Sequence, residues 1–335
     1  MTWFLLGASV LAILIPTIIY IQILRWLDYC DRAPQSLALL AFVWGAVPAI
    51  VLALIFSPLV EYPIRSLLNA PYDHAIGATI IAPIVEESAK GLIVFWIFAM
   101  TDRAQDDPML GLIYGALAGY GFELTEDVMY FLSAWAGGGW NAWTGSVVVR
   151  ALMFGTTHAF FTGMTGLGAG LARASASGFA RGAFPLMGLG AAMTFHSLHN
   201  IAAVASRDNP ATIIFAAVSD WGGLWVLGVL VVVARVYEKQ WMMQELNEEV
   251  DADLLDRADV QLAASIRARV RTRVIGMLTL DRRAVRRVTW LAPRVMELAH
   301  LKHQTRRGRA DYRSEIHAVR QEIVAIYNAL SNPSF

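Results

Sequence analysis

A single cysteine, Cys30, among 335 residues excludes an intrachain disulfide framework and any cysteine-only metal site. Charge is scarce as well: 16% of the residues are Asp, Glu, Lys or Arg, against about 25% in soluble globular domains. With 56% hydrophobic residues and a mean hydropathy of +0.49, an ordinary cytosolic fold is excluded. The chain also lacks a zinc-finger spacing, an RNA-binding signature and a His-Glu-x-x-His sequence, so nucleic acid is not an expected partner. The 27 basic and 27 acidic residues cancel, yet unevenly. Residues 1–236 hold 10 basic and 14 acidic side chains and residues 237–335 hold 17 and 13, a −4 part joined to a +4 part. Length and this shift predict two domains, 1–236 and 237–335.

What the first part has in quantity is apolar length. A bilayer core about 30 Å thick needs roughly 20 apolar residues in a helix, and seven segments supply it: Trp3 to Ile23, Leu37 to Leu59, Ile76 to Met100, Met109 to Trp135, Gly145 to Leu171, Gly182 to Val204 and Ala211 to Val233. The first has no basic residue before its apolar run and no small-residue cleavage site, and reads as a retained span. Lys and Arg favour cytoplasmic loops. With the N-terminus outside, the inner loops carry Arg25, Arg32, Arg103, Arg173, Arg181 and the whole basic tail, leaving Arg65 and Arg207 outside. The expectation is an all-α polytopic protein of the cell membrane with about seven transmembrane helices, its C-terminal helical domain cytoplasmic.

The tail opens with acids from Glu245 to Asp259 and then becomes Arg-rich. Ile316, Val319, Ile323, Ile326 and Leu330 share one helical face and predict an amphipathic helix. Arg267, Arg269, Arg271 and Arg273 alternate with other residues in a strand-like rhythm, but the surrounding composition predicts helix. Such a tail suits either contact with anionic lipid or a partner, or a simple solvated helical domain.

The informative residues sit where they are expensive. A charge at the centre of a lipid-exposed helix costs about 2.5–3.5 kcal/mol, so such residues normally face a protein interior. The third span holds Glu86, Glu87 and Lys90, and the fourth Glu123, Glu126 and Asp127. The next two add Arg150, His158, His196, His199 and Asn200, so four consecutive helices must converge on a shared polar interior. Helical spacing pairs Glu86 with Lys90 along one face, turns Glu87 elsewhere, and sets His196 and Asn200 together. Pro83 predicts a loosened third span, and Gly111, Gly115 and Gly119 a close-packing ridge. Lys90 and Arg150 read as partners that keep carboxylates ionised. His199 reads as a packed ring with one satisfied nitrogen, and Asp220 as an acid with no basic partner in its own span.

At these residues the chain resembles a known family. Residues 82–90, APIVEESAK, resemble the Glu-Glu-x-x-Lys motif of the PrsW-type intramembrane proteases. Residues 119–130, GYGFELTEDVMY, resemble that family's second motif, with Glu126 and Tyr130. The stretch from Arg150 through His158 to Gly163 is similar to the third, and residues 195–200, FHSLHN, to the fourth. More loosely, Phe154 with His158 and His196 with Asn200 resemble motifs of the wider CPBP superfamily, which includes the CAAX prenyl endopeptidases. Two departures stand out: Glu123 replaces a small residue and Asp127 an asparagine, adding negative charge around Glu126.

The resemblance implies an intramembrane peptidase acting on single-pass membrane proteins such as anti-sigma factors. Hydrolysis needs a confined water, a base and donors for the oxyanion. Glu86 or Glu87 would be the base, the resemblance favouring Glu86. His158 would orient the water, and His196 and Asn200 would face the oxyanion, with Lys90, Glu126, Arg150 and Tyr130 in support. A variant makes Glu86, His158 and His196 the ligands of a zinc ion; no cofactor is otherwise implied. Expected partners are the membrane-anchored substrate, the lipid bilayer and a second copy of the chain. Two other classes suit buried Glu and His residues: a proton-coupled transporter or channel, against which stands the lack of an inverted repeat, and a haem protein with His158 and His196 or His199 as axial ligands. A retinal-type receptor is excluded because the seventh span has no lysine.

Overall fold

The computed structural model describes residues 2–27, 34–68, 74–101, 108–175, 177–206, 208–306 and 311–331. Cys30, Arg32, Arg103 and Arg207 lie outside them. Among the described residues there are helices and no strands. The chain forms two compact units, one ending at Leu227 and one running from Gly228.

The first unit is built from α1 (Thr2–Leu27), α2 (Gln35–Trp44), α3 (Ile50–Leu68), α4 (His74–Ile76), α5 (Ala82–Met100), α6 (Pro108–Val147), α7 (Thr157–Ala174), α8 (Gly178–Ala205) and the start of α9 (Thr212–Glu245). Its polarity is inverted relative to a water-soluble bundle. Along α1 the inward positions include Ser9, Ile13 and Thr17, whereas Leu11, Ile15, Ile18, Ile19 and Ile23 are exposed. Apolar side chains facing outward are stable in hydrocarbon, not in water. Among the described residues, four stretches are long and apolar enough to cross a membrane: Thr2–Arg25, Gln35–Ile64, Pro108–Ala174 and Thr212–Glu245.

That count differs from the seven segments expected. The fourth and fifth fall within the one stretch Pro108–Ala174, although α6 breaks at Gly138 and Gly139. Gly139 has φ +63°, a left-handed geometry that glycine adopts without steric penalty. The third and sixth segments fold as α5 and α8 but fall short in apolarity: α5 carries Glu86, Glu87 and Lys90, and α8 carries His196, His199 and Asn200.

Among the described residues of the first unit, three wide turns with i→i+5 hydrogen bonding interrupt the helices at Gly45–Ala49, Gly77–Ile81 and Val148–Met153. Such turns leave carbonyls off the regular ladder, and here side chains from other helices use them. Thr125 donates to Ala46 O (2.6 Å), Asn200 to Ala78 O (2.8 Å) and Tyr20 to Ala151 O (3.1 Å). The loosening expected at Pro83 therefore lies one turn earlier. Pro83 sits in the first turn of α5, where its missing N–H is not needed.

The expected glycine ridge sets the distance between α6 and α7. A Cβ on Gly111, Gly115 or Gly119 would stand 2.1, 2.3 or 2.2 Å from the carbonyl oxygen of Gly166, Thr162 or His158. Only hydrogen fits there, and the close approach brings His158 against the acidic stretch of α6.

The second unit comprises the rest of α9 and α10 (Asn247–Asp251), α11 (Arg257–Ala263), α12 (Ile266–Leu278), α13 (Arg282–Arg286), α14 (Ala292–Arg306) and α15 (Arg313–Ser331). The arginine-alternating stretch is helical, forming α12. Ile316, Val319, Ile323 and Leu330 of α15 are buried in a core with Leu246, Val260, Leu291, Val295 and Leu298, so the apolar face read from spacing is the packed one. Lys302 bonds Glu248 (2.8 Å) and Glu249 (2.7 Å). The Lys302 ammonium holds the Glu248 carboxyl below the usual carboxylate range.

Candidate active site

α5 through α8 bring the expected residues to one cavity of about 250 Å³ in the first unit, lined by Glu86, Glu123, Glu126, Asp127, Tyr130, Arg150, His158, His196, His199 and Asn200. Glu87 and Lys90 stand behind this lining and are fully buried.

Glu87 is the most heavily bonded acid. Its Oε1 accepts from Lys90 Nζ (2.5 Å) and His196 Nδ1 (2.9 Å), and its Oε2 from Thr162 Oγ1 (2.9 Å). Lys90 thus pairs closely with Glu87, three residues away, and stands 3.8 Å from Glu86. The Glu86–Lys90 pairing read from helical spacing is present as the longer contact; contrary to expectation, Glu87 does not turn elsewhere but takes the closer ion pair. An i,i+3 partner was equally in reach, and a fully buried ammonium needs the closer counter-charge.

The bonds also fix the tautomers. Lys90 is a pure donor, so His158 Nδ1, 2.9 Å from it, accepts, and His158 Nε2 then donates to Glu126 Oε2 at 3.1 Å. His196 donates from Nδ1 to Glu87, leaving Nε2 as a lone pair 3.9 Å from Glu86 Oε2. The two imidazoles stand edge to face, 4.9 Å apart, and Phe161 stacks on His196 at 5.1 Å.

On the other wall Arg150 binds Glu126 and Asp127, each at 2.6 Å, and lies 3.7 Å over the Tyr130 ring. Asp220 is not without a partner: His199 Nδ1 is 2.5 Å from its Oδ2, and the His199 ring packs edge-on against Phe154. The partner lies on α8, which a search within the span of Asp220 could not find. Thr162, Phe122 and Phe161 also belong to the site. Nothing in the sequence distinguishes them from ordinary packing residues.

Glu86 differs from its neighbour. Its Oε2 is buried and has no hydrogen-bond partner. Glu86, His158 and His196 each offer a ligand atom, and these atoms all lie within 4.8 Å of one another. Five carboxylates (Glu86, Glu87, Glu123, Glu126, Asp127) meet two permanent cations, Lys90 and Arg150. An unpartnered carboxylate oxygen, an imidazole lone pair and surplus negative charge fit a divalent cation.

A cavity of this size walled by paired carboxylates and imidazoles, inside a bundle with an apolar exterior, belongs to the class of hydrolases that work within the membrane. Residues 33–239 match the family model of the PrsW family intramembrane metalloproteases. The chain belongs to that family and is an intramembrane peptidase, which displaces the transporter and haem readings. No curated protein and no solved structure matches it.

Proposed function

We propose that the chain hydrolyses peptide bonds of single-pass membrane proteins, anti-sigma-factor-like in class, with Glu86 as the reacting carboxylate. The observation that carries this reading is the unpartnered Glu86 Oε2 facing the His196 lone pair in the cavity. A carboxylate without donors is free to take a proton from water. Glu87, with three donors on it, is a positioning residue that keeps His196 in one tautomer. Lys90 does the same for His158. Asn200 gives one amide hydrogen to Ala78 O and keeps the other for a developing oxyanion.

Glu86 and His196 would hold zinc, with His158 a third ligand where the metal takes the place of its Nε2 proton; zinc when bound supplies a Lewis acid and lowers the pKa of water. Arg150, by offsetting part of the charge on Glu126 and Asp127, weakens their repulsion of the reacting carboxylate. We further infer seven membrane-crossing helices, with α5 and α8 turning their polar residues to the cavity while Leu92, Trp96, Leu186 and Met187 face outward to lipid. The N-terminus would be outside the plasma membrane and residues 237–335 would form a cytoplasmic domain after a 1–236 membrane core. The placement of basic residues supports this.

The test compares membrane-protein termini by mass spectrometry in cells expressing the wild type or Glu86→Gln at equal level. New termini near a membrane span, present only with wild type, support the assignment and name the substrate. Identical termini from both proteins would remove Glu86 from the reaction.

A further inference from the structure

The hairpin formed by α12 and α13 carries features that neither its own unit nor the peptidase site uses. From Ile266 to Leu280 the chain has four arginines and no acid. Arg282 and Arg283 follow at once, and Asp281 between them is occupied as the cap of α13, accepting the Ala284 N–H at 3.0 Å. Arg267, Arg271, Arg273, Arg282 and Arg283 are exposed, and none meets a carboxylate among the described residues.

Apolar side chains stand among these arginines. Val270, Val274, Met277 and Leu278 follow the spacing of one helical face, yet they are 40, 49, 53 and 79% exposed. Leu280, in the turn, is 84% exposed and has φ 57°, a left-handed conformation that leucine rarely adopts. A bulky hydrophobe held in strained backbone and turned to water gains nothing from the fold that carries it.

We propose that the α12–α13 hairpin is a lipid-contact tip: Leu278 and Leu280 seat among acyl chains while Arg271, Arg282 and Arg283 bind the phosphates of anionic phospholipids. An anionic membrane surface offers both chemistries in one plane. A nucleic acid or an acidic protein takes the arginines and leaves the leucines in water. The chain also belongs at a bilayer, and only residues 246–265 separate the candidate span Thr212–Glu245 from α12.

The test uses the full chain with Cys30→Ser and Leu278→Cys, labelled with an environment-sensitive fluorophore and reconstituted in nanodiscs. Discs of phosphatidylcholine are compared with discs that also contain phosphatidylglycerol. The expected result is blue-shifted emission and protection from an aqueous quencher in the anionic discs only. High salt reverses it, as do Arg282→Gln with Arg283→Gln. Leu280→Asn weakens the shift without lowering the melting temperature, because asparagine tolerates the left-handed backbone. Water-exposed emission in both discs overturns the proposal. An equal shift in neutral discs overturns the role of the arginines. The same shift in detergent without lipid assigns the face to a second copy, and a shift seen only on adding single-stranded RNA assigns it to nucleic acid; either overturns the lipid assignment.

Discussion

Glu86 and Glu87 are adjacent in sequence and about 100° apart around α5, and their surroundings are opposite. Glu87 is wrapped by Lys90, His196 and Thr162, whereas Glu86 Oε2 has no hydrogen-bond partner and meets Lys90 at 3.8 Å. Glu87→Gln leaves the fully buried Lys90 without its closest counter-charge, and breaking a buried pair in this way costs about 3–5 kcal/mol. We expect that variant to lose both cleavage and several degrees of melting temperature. Glu86→Gln breaks no hydrogen bond at Oε2, so it should abolish cleavage with the melting temperature unchanged or raised. Thermal unfolding in detergent beside a cleavage assay checks both, and equal melting losses would mean that the two glutamates do not divide their roles this way.

Between elements, the fit of α6 on α7 is set by backbone approaching backbone. Gly119→Ala would place a methyl 2.2 Å from His158 O and 2.6 Å from Ala159 N, so the helices must separate; overpacking of this kind costs about 1–3 kcal/mol. Because His158 lies in that turn, cleavage should fall along with stability. Gly190→Ala on α8 meets nothing within 4 Å and should be neutral or stabilising by about 0.5–1 kcal/mol. A melt of the two variants side by side separates close packing from mere glycine content. Two hydrogen bonds tie α8 to α9 among the described residues, His199 with Asp220 and Thr212 Oγ1 to Ala202 O. Asp220→Ala takes the partner from a half-buried imidazole that lines the cavity, a loss of about 1 kcal/mol, and should lower the melting temperature slightly while the wild-type substrate is still cleaved. If cleavage is lost as completely as in Glu86→Gln, His199 belongs to the chemistry.

For the molecule as a whole, the polar interior and apolar exterior of the first unit place its chemistry where free water is scarce, and a bound cation there would offset the surplus of carboxylates. We expect a chelator to abolish cleavage and added zinc to restore it. Zinc should also raise the melting temperature of the wild type, since a ligand at 100 times its Kd stabilises by about 2.7 kcal/mol, and raise that of Glu86→Gln much less. Full cleavage after exhaustive chelation would remove zinc from the reaction and leave Glu86 as the base by itself.

The all-helical class, the polar set on four neighbouring helices, the packing face of α15 and the glycine ridge were legible in the sequence. Each depends only on the order of residues around one helix axis, which the 3.6-residue repeat fixes. The membrane-crossing count was less legible, because the residues that build the cavity reduce the apolarity of the helices that carry them. Tertiary structure decided the partners: Glu87 closer than Glu86 to Lys90, His199 for Asp220, Thr162 for Glu87 and Ala78 O for Asn200. It also decided that the apolar face of α12 points outward. These pairings join residues on different helices or choose between neighbours equally spaced on one, and a sequence period specifies angles about an axis without specifying which helix lies opposite.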